Sequence, residues 1–398
     1  MNQHPAIAIA EAQLGPAFGE IAEIRRHNQK KVLDAFRTCG VAGRHFHPSL
    51  GYGYGDDGRD MLDRVFAAAL GTEDAFVRAQ FASGTHVISC CLQALCTPGS
   101  HLISASGAPY DTLFPTVAVL QQGGVAYAQL ELGENGIDVP AVLAALQAAE
   151  EAVVVYVQRS RGYAWRPSLG AAEITALARQ IHAANPDAVV LLDNCYGEFV
   201  EKEEPQVDLF AGSLIKNLGG GLAPTGGYCA GRAALVNRVA DRLLAPGIGR
   251  EVGSHEGGYR NFYQGLFQAP QVVAAARMGA LLVAKVFESL GFEALPKPGD
   301  AGDLVASVQL NAPHALEAFC RAVQAASPVD AMARPEAWDM PGYEDAVIMA
   351  AGTFVQGASI ELSADGPMRP PYTVYVQGGL SYDHVVLALE EILHALQL

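Results

Sequence analysis

The order of apolar runs constrains the fold of this chain most strongly. Between about residues 61 and 285, short β-rich apolar runs alternate with segments of helical periodicity, which is typical of a mainly parallel sheet covered by helices on both faces. The clearest runs are HLISAS (101–106), VVVYV (153–157), AVVLLD (188–193) and GYCAG (227–231). The segment AAEITALARQIHAANP has helical spacing and ends at a proline. We therefore predict a large α/β domain built from βαβ units.

Two further units flank this region. Residues 1–60 contain a helical stretch (11–38) and end in the glycine-rich run GYGYGDDGRD, which predicts an arm or loop. After a long helix at about 269–290, the sequence GFEALPKPGDAGD marks a boundary. We predict an N-terminal helix and arm (1–60), a large domain (61–285) and a smaller C-terminal α/β domain (286–398). The smaller domain should contain strands near LVASVQL, AVIMAAG, ASIELS and YTVYVQ and helices from Pro313 and from Ser381.

Composition narrows the classes of partner. The chain has 398 residues with 50% hydrophobic composition, enough for a large domain and a smaller one. A formal charge of −16 opposes attraction to phosphate backbones and to anionic lipid. The sequence shows neither a secretory signal nor an apolar run long enough to span a membrane. We predict a cytoplasmic protein with neither nucleic acid nor membrane as a partner.

The cysteines and histidines do not predict a metal centre. The seven cysteines contain no CxxC pair, so neither a disulfide framework nor a zinc site is indicated. His45 and His47 are conceivable metal ligands, but no acidic or thiol partner has a suitable spacing. A structural histidine pair is the preferred interpretation, and no metal is predicted.

Polar residues at strand ends carry the functional prediction, because ligands of parallel α/β sheets lie beyond the carboxyl ends of the strands. The run AVVLLD ends in Asp193, whose carboxylate needs a partner if it is buried. A protonated pyridine nitrogen is one such partner. A helix N-cap or a metal ion is the alternative.

Lys216 follows about twenty residues later, in SLIKNLGGGLAPTGGY. Its apolar surroundings predict a lysine that loses its proton easily, as Schiff-base chemistry requires. The adjoining Gly219, Gly220 and Gly221 allow tight turns and a close approach to a ligand. A glycine-rich nucleotide loop is the alternative, but the pattern GxxxxGK[ST] is absent.

A helix start and a tyrosine complete the pattern. In FASGTHVISCCLQALC a helix should begin near Thr85, so Ser83, Gly84 and Thr85 would offer a phosphate the N–H groups of a helix N-terminus. An ordinary N-cap is the alternative. Tyr110 follows the HLISAS strand and could stack on a flat cofactor or simply pack. These features occur in the order that a pyridoxal 5′-phosphate (PLP) site needs.

The chain thereby resembles fold-type I PLP enzymes of the cystathionine and methionine lyase group. Ser213-Leu214-Ile215-Lys216 is similar to that group's serine-x-x-lysine motif. The resemblance implies an aspartate-aminotransferase-like α/β fold with PLP held by the large domain. It also implies that Lys216 forms the Schiff base, that Ser213, Gly84 and Thr85 bind the phosphate, that Asp193 contacts the pyridinium and that Tyr110 stacks on the ring.

Longer motifs make the resemblance more specific. QRSRGYAWRPSL, SLIKNLGGGLAPTGGYCAGR, GREVGSHEGGYRNFYQGLFQAP and RPPYTVYVQGGL are similar to the methionine-gamma-lyase-like family often labelled aluminium-resistance proteins. In the better-known lyases a tyrosine and an arginine from a neighbouring subunit reach the phosphate, and GYGYGDDGRD is similar to that arm. The resemblance implies these roles for Tyr54 and Arg59 in a homodimer or homotetramer. A mobile surface loop is the alternative.

The sequence also departs from the lyase pattern. Methionine gamma-lyases typically place a cysteine shortly after the stacking tyrosine, whereas Asp111-Thr112-Leu113 follow Tyr110 here, which does not favour methionine cleavage. The arginine that grips a substrate carboxylate has no clean counterpart. Arg369 is the first candidate, with Arg159 and Arg161 as alternatives, because guanidinium forms bidentate pairs with carboxylate. Each of them could instead bridge domains.

The implied reaction is an elimination from a sulfur-containing amino acid. The amino group of the substrate would release Lys216 from the cofactor, and the freed lysine would remove the Cα proton. Elimination at Cβ or Cγ would then release a thiol, a 2-oxo acid and ammonia. Thiol-group transfer and transamination use the same residues and stay open. A non-catalytic stress-response protein that keeps the fold is the hypothesis from a different class.

Overall fold

The computed structural model describes residues 4–133, 136–149, 151–300 and 302–398, so the first three residues of the predicted N-terminal unit lie outside it. Its helices are α1 (Pro5–Cys39), α2 (Asp57–Leu70), α3 (Gly84–Leu95), α4 (Phe114–Gln122), α5 (Val139–Ala148), α6 (Ala171–Ala184), α7 (Ala233–Leu243), α8 (Arg260–Ser289), α9 (Pro313–Ala325) and α10 (Tyr382–Leu396). Its strands are β1 (Asp74–Arg78), β2 (His101–Ser104), β3 (Ala126–Gln129), β4 (Leu132–Gly133), β5 (Gly136–Ile137), β6 (Val153–Gln158), β7 (Val189–Asp193), β8 (Leu209–Ser213), β9 (Gly227–Gly231), β10 (Ala294–Leu295), β11 (Val305–Gln309), β12 (Val347–Ala350), β13 (Ser363–Pro367) and β14 (Thr373–Gln377). Within these ranges, no helix combines the length and the apolar character that a bilayer span requires.

A seven-stranded sheet in the order β1-β9-β8-β7-β6-β2-β3 forms the larger layer. Its strands run parallel except β9, which pairs antiparallel with both β1 and β8. The prediction of a mainly parallel sheet is confirmed. The run VVVYV is apolar throughout because both of its faces are covered: Val153, Val155 and Val157 belong to one core cluster, and Val154 and Tyr156 belong to another.

A five-stranded antiparallel sheet in the order β10-β11-β14-β13-β12 forms the smaller layer. One face of this sheet packs on α8, α9 and α10, with Val374 and Val376 of β14 and Ala364 of β13 in the core. The opposite face bears the alternate residues of the same strands and faces the cavity described below. The predicted boundary at residues 285/286 falls inside α8, and the predicted domain limits stay predictions.

Several predicted boundaries are wrong. The arm is shorter than predicted, because α2 begins at Asp57, where the Asp56 side chain accepts a hydrogen bond from the Arg59 backbone N–H. Helix α8 begins nine residues before the predicted position 269 and continues through Pro270. The buried side chains of Phe262 and Leu266 compensate for the missing N–H of that proline. Strand β13 begins at the last residue of ASIELS, and the rest of that segment forms turns.

Candidate active site at the strand ends of the large sheet

A cavity of about 320 Å³ lies between the carboxyl ends of the large-sheet strands and the small sheet. The last residues of β6, β7 and β8, which are Gln158, Asp193 and Ser213, all line it. This is where parallel sheets place their ligands, and the volume suits a small cofactor with a substrate. The predicted residues that line this cavity are Ser83, Gly84, Thr85, Tyr110, Asp193, Ser213 and Lys216.

Asp193 is buried where β7 ends. One carboxylate oxygen, Oδ1, accepts the Cys195 backbone N–H at 3.1 Å, and Oδ2 accepts the Tyr156 hydroxyl at 3.4 Å. Burial raises the pKa of Asp193, while the charge of Lys216 lowers it. Among the described residues, the hydrogen-bond donors to this carboxylate are neutral, so a cationic ring nitrogen in the cavity would stabilise its ionised form.

Lys216 follows β8 and faces the cavity. Its Nζ lies 4.0 Å from the centre of the Tyr196 ring. The Tyr196 backbone has φ +68°, a left-handed conformation that is costly for an aromatic residue. A hydrogen bond of 2.8 Å between the Tyr196 hydroxyl and Ser359 Oγ holds the ring in place. Local backbone strain thus positions an aromatic face against the amine.

Lys216 was predicted to lose its proton easily. This prediction is wrong for the protein without a cofactor. Burial lowers the pKa of Lys216, but the neighbouring acidic side chains of Cys195, Tyr196, Asp193 and Tyr110 raise it, and the net pKa lies above the ordinary value. Apolar neighbours in the sequence suggested a purely low-dielectric pocket. The folded chain instead brings acidic groups from other segments to the ammonium group.

The glycines after Lys216 serve the packing of the protein itself. A Cβ atom on Gly219 would overlap the Leu214 carbonyl, and one on Gly220 would overlap the Gly265 carbonyl. Neither residue lines the cavity. These glycines therefore allow a close backbone approach, as predicted. The segment that they approach is protein backbone, including that of α8 at Gly265.

The start of α3 has the features of an anion site. Ser83 is the N-cap, and its Oγ accepts the His86 backbone N–H at 3.0 Å, so the N-cap alternative holds for this side chain. The N–H groups of Gly84 and Thr85 precede the first intrahelical hydrogen bond and lie at the cavity wall. Two such donors at a helix N-terminus suit a phosphate group.

Ser213 lies opposite this helix start. Its Oγ is buried and has no hydrogen-bond partner among the described residues. A Cβ atom on Gly84 would lie 3.3 Å from Ser213 Cβ and 3.9 Å from Lys216 Nζ, so glycine leaves this corner of the cavity open. An unpartnered hydroxyl, two helix N–H groups and an open corner together fit the phosphate of PLP.

Tyr110 closes the side of the cavity next to Asp193. Its backbone N–H donates to Gln158 Oε1 at 3.0 Å. Burial raises the pKa of Tyr110 well above its usual value, and Asp193 raises it further, while Thr85 and Lys216 lower it. The hydroxyl therefore stays protonated at neutral pH.

The comparison with protein families covers nearly the whole chain. Residues 4–397 match the methionine gamma-lyase family model. The chain belongs to the methionine gamma-lyase family. Its relative YnbB of Bacillus subtilis strain 168 is 46% identical over 392 residues, with 95% of this chain and 93% of YnbB covered.

Solved structures of family relatives have the same fold. A candidate cystathionine beta-lyase involved in aluminum resistance from Listeria monocytogenes has a TM-score of 0.94 and 46% identity, with 98% of this chain and 99% of that chain covered. A carbon–sulfur lyase involved in aluminum resistance from Clostridium novyi NT has a TM-score of 0.94 and 40% identity, with coverage of 99% and 95%. The PLP-dependent protein YhfS of Escherichia coli, at 18% identity and a TM-score of 0.63, shows the fold alone. The predicted fold-type I architecture is confirmed.

The arm residues predicted from the lyase resemblance lie away from the cavity of their own chain. Tyr54 is exposed, and its ring centre lies 5.7 Å from that of Tyr52. Arg59 is buried by its own chain: NH1 donates to the carbonyls of Gly53 and Glu251, and Nε and NH2 contact Asp60. Every guanidinium nitrogen of Arg59 has a partner in its own chain, and its assignment to the phosphate of a neighbouring subunit stays a prediction. The assignment of Tyr54 stays a prediction.

The three arginines predicted to bind a substrate carboxylate do not line the cavity either. Arg159 is fully buried, and its NH1 donates to Asn194 Oδ1 at 2.8 Å and to the Gly197 carbonyl at 2.9 Å. Arg161 pairs with Asp303, which fits the bridging alternative. Arg369 and Asp345 are both half-exposed, and Arg369 NH1 lies 2.8 Å from Asp345 Oδ2. These guanidinium groups have partners within the protein, and their assignment to a substrate carboxylate stays a prediction.

The metal alternatives find no support in the part of the chain that the structure describes. There, no three His, Cys, Asp or Glu side chains are grouped so that they could bind a metal ion. His45 Nδ1 accepts the backbone N–H of Ala42 at 3.1 Å. This histidine has a local structural role.

The sequence-based prediction missed the cavity residues of the small sheet and its flanking loops. They are Tyr163, Tyr343, Ser363, Asp365, Tyr375 and Gln377. Asp365 could have been identified from the sequence. It is the one carboxylate in the short segment SADGP, and a charged residue on a buried strand often has a functional role.

Proposed function

We propose that this chain is a PLP-dependent carbon–sulfur lyase that acts on a sulfur-containing amino acid. The observation that carries the proposal is the convergence of Asp193, Ser213, Lys216 and the start of α3 on one cavity. Membership of the methionine gamma-lyase family supports it, as does the similarity to the carbon–sulfur lyase of Clostridium novyi. Elimination at Cβ or Cγ would yield a thiol, a 2-oxo acid and ammonia.

The described residues fit PLP chemically. Ser213 Oγ and the N–H groups of Gly84 and Thr85 would bind the phosphate. Asp193 would face the pyridinium nitrogen. Lys216 Nζ would be the group that bonds to the aldehyde carbon of PLP. When bound, PLP supplies an electron-withdrawing ring that makes the Cα–H bond of an attached amino acid acidic.

The protein side chains would then manage protons. Lys216 Nζ, held against the Tyr196 ring, is the group that would accept the Cα proton. Tyr110 keeps its phenolic proton at neutral pH, so its hydroxyl can donate a hydrogen bond to a leaving sulfur. The small sheet forms the other side of the cavity.

We also propose that the chain acts as a homo-oligomer. The side chains of Leu50, Tyr52 and Tyr54 are 77%, 73% and 64% exposed on one short segment. A contiguous apolar surface of this kind is typical of a protein interface. A second copy of the chain, at least as a homodimer, is the partner proposed for this surface.

The experiment that tests the cofactor assignment is borohydride reduction followed by peptide mapping. Purified protein with PLP should show a visible absorption band that reduction abolishes, and the label should be on Lys216. Lys285, which pairs with Glu288 on α8, provides the control: Lys285→Ala should keep the band, and Lys216→Ala should lose it. A label on another lysine, or no label at all, would contradict the assignment.

A second measurement tests the reaction. The protein is incubated with L-cystathionine, L-cysteine and L-methionine, and thiol, 2-oxo acid and ammonia are quantified. Equal amounts of the three products support elimination. A 2-oxo acid without thiol and ammonia would indicate transamination instead.

A further inference from the structure

The loop before β12 forms a flap beside the cavity. Trp338 and Val347 pair in an antiparallel bridge, with N–H···O distances of 3.2 and 3.0 Å, and this bridge closes the base of the flap, residues 339–346. Val347 is the first residue of β12, the edge strand of the small sheet. The ion pair of Asp345 with Arg369 ties one side of the flap to the segment after β13. The flap is therefore anchored on the small sheet.

The tip of the flap is a tight turn. Its four residues are Met340-Pro341-Gly342-Tyr343, and the Tyr343 backbone N–H donates to the Met340 carbonyl at 3.2 Å. Proline at the second position and a glycine with φ +88° at the third are typical of a type II β-turn. Proline fixes its own φ, and glycine adopts the positive φ at little cost. The tip can therefore move as one rigid unit.

The tip packs on Thr112, on the large-sheet side of the cavity. A Cβ atom on Gly342 would lie 3.0 Å from Thr112 Cγ2 and 3.5 Å from Thr112 Cα, so the glycine backbone lies directly against the threonine methyl. Thr112 belongs to the 3₁₀-helical turn Asp111–Leu113, which follows β2 of the large sheet. Thr112 and Tyr343 both line the cavity. The flap thus extends from the small sheet to the large-sheet side of the cavity.

The hydroxyl of Thr112 contacts the proposed phosphate site. Its Oγ1 lies 3.0 Å from Thr85 Oγ1, and Thr85 is in the first turn of α3, whose N–H groups are the proposed phosphate donors. Threonine is branched at Cβ, so one χ1 angle sets the positions of its methyl and its hydroxyl together. The rotamer of Thr112 that bonds Thr85 is therefore also the rotamer that presents the methyl to Gly342.

We propose that Thr112 is a positioning residue that couples anion binding at the start of α3 to closure of the flap over the cavity. A phosphate group holds the Thr85 backbone, Thr85 holds the Thr112 hydroxyl, and the Thr112 methyl is the contact surface for the flap tip. Without the anion this chain of contacts is less constrained, so the flap should open more often. The inference rests on the cofactor assignment in the proposed function and adds a conformational step to it.

Hydrogen exchange measured by mass spectrometry tests the coupling. The probe is the peptide that contains residues 339–346, in wild-type protein with and without PLP. We expect PLP to slow exchange of this peptide by about fivefold or more, the lower end of usual coupling energies. Exchange that PLP leaves unchanged in wild type would overturn the proposal.

Thr112→Val separates the coupling from a direct contact between cofactor and flap. Valine keeps the methyl group and the shape but loses the hydroxyl that bonds Thr85. Without PLP, exchange of the flap should match wild type, and the slowing by PLP should be lost. Thr116→Val on α4, which removes a hydroxyl bonded to Ser89 Oγ, is the matched control and should keep the slowing. The same slowing in Thr112→Val as in wild type would overturn the coupling.

Gly342→Ala tests the coupling in the reverse direction, because coupling free energies are reciprocal. The new Cβ would press on Thr112 and hold the flap open, although Gly342 itself does not line the cavity. Absorbance titration should show a PLP affinity lower by about fivefold or more. Gly291→Ala is the control: its φ of +91° brings a similar backbone strain, and its Cβ would contact nothing within 4 Å. Equal PLP affinities of the two variants would overturn the proposal.

These measurements do not depend on turnover. A protein that binds PLP but cleaves none of the amino acids tested would contradict the lyase proposal, and the exchange data would still decide on the coupling. If the protein binds no PLP, the cofactor assignment fails and the probe becomes inorganic phosphate. Slower exchange of the flap with phosphate in wild type, but not in Thr112→Val, would then support the coupling, and an absence of any effect would overturn it.

Discussion

Arg161 and Asp303 form a buried ion pair, with Arg161 Nε 3.4 Å from Asp303 Oδ2 and the Arg161 backbone N–H donating to the same oxygen at 3.2 Å. Arg161 follows strand β6 of the large sheet, and Asp303 lies two residues before the start of the small-sheet strand β11. The pair therefore joins the two layers beside the cavity. This pairing fits the alternative that Arg161 bridges domains.

Removal of one partner of this pair should destabilise the protein strongly. Asp303→Asn leaves the Arg161 guanidinium buried without its counter-ion, which should lower the free energy of unfolding by about 3 kcal/mol. Asp345→Asn is the control, because the ion pair of Asp345 with Arg369 is half-exposed and should contribute about 1 kcal/mol or less. Urea unfolding measures both variants. Equal losses would mean that the buried pair does not stabilise the junction.

Gly84 keeps the proposed phosphate corner open, so Gly84→Ala should weaken PLP binding more than it weakens the fold. The new methyl group would lie 3.3 Å from Ser213 Cβ and 3.6 Å from Cys195 Sγ. Absorbance titration with PLP should show an affinity lower by about tenfold or more, since the methyl would compete with the ligand for space. Gly15→Ala in α1 is the control, because its Cβ would contact nothing within 4 Å. Unchanged PLP affinity in Gly84→Ala would place the phosphate elsewhere.

Strand ends could be predicted from the sequence because burial on both faces leaves a continuous apolar run. Asp193 and Ser213 end two such strands, and their meeting in one cavity follows from the parallel order of β7 and β8. Strand β8 itself was not predicted, so Ser213 was assigned from the serine-x-x-lysine resemblance and Lys216 from its apolar and glycine-rich surroundings. Its raised pKa was missed, because the acidic groups near its amine come from segments far away in the sequence.

The small-sheet wall could not be predicted in the same way. Ile360 and Leu362 are buried in turns before β13, so the apolar pattern of ASIELS indicated a strand a few residues too early. This shift hid Asp365 as a strand residue that faces a cavity. The roles of Arg159 and Arg161 depended likewise on partners that only the fold brings near.

Ser213 offers a test of phosphate binding that leaves the backbone unchanged. Its Oγ has no hydrogen-bond partner in the part of the chain that the structure describes, so Ser213→Ala should not reduce the stability of the cofactor-free chain. PLP affinity should fall by about tenfold or more, the usual effect of one hydrogen bond to a charged group. Ser289→Ala, which removes a hydroxyl bonded to the Val286 carbonyl, should have no effect on PLP affinity. A destabilised cofactor-free Ser213→Ala variant would show that this hydroxyl has a structural partner instead.

Glu198 should make the stability of the protein depend on pH. Burial raises the pKa of its carboxyl to about 8, from an unfolded value of 4.5. Oε1 accepts the Tyr228 hydroxyl at 2.8 Å, while Oε2 has no partner among the described residues. Between these two pKa values the folded state holds a proton that the unfolded state has lost. The protonated form therefore stabilises the fold fully below about pH 4.5, and this contribution is lost as the pH rises towards 8.

Glu198→Gln removes this titration, so the difference in unfolding free energy between wild type and variant should shrink or reverse as the pH rises. The slope is at most about 1.4 kcal/mol per pH unit. Urea unfolding between about pH 5 and pH 8 measures it. Glu288→Gln is the control, because Lys297 and Lys285 lower the pKa of Glu288, so its curve should stay parallel to that of wild type over this pH range. Parallel curves for wild type and Glu198→Gln would show that Glu198 is already ionised in the folded protein, and that another group must supply the missing partner of Oε2.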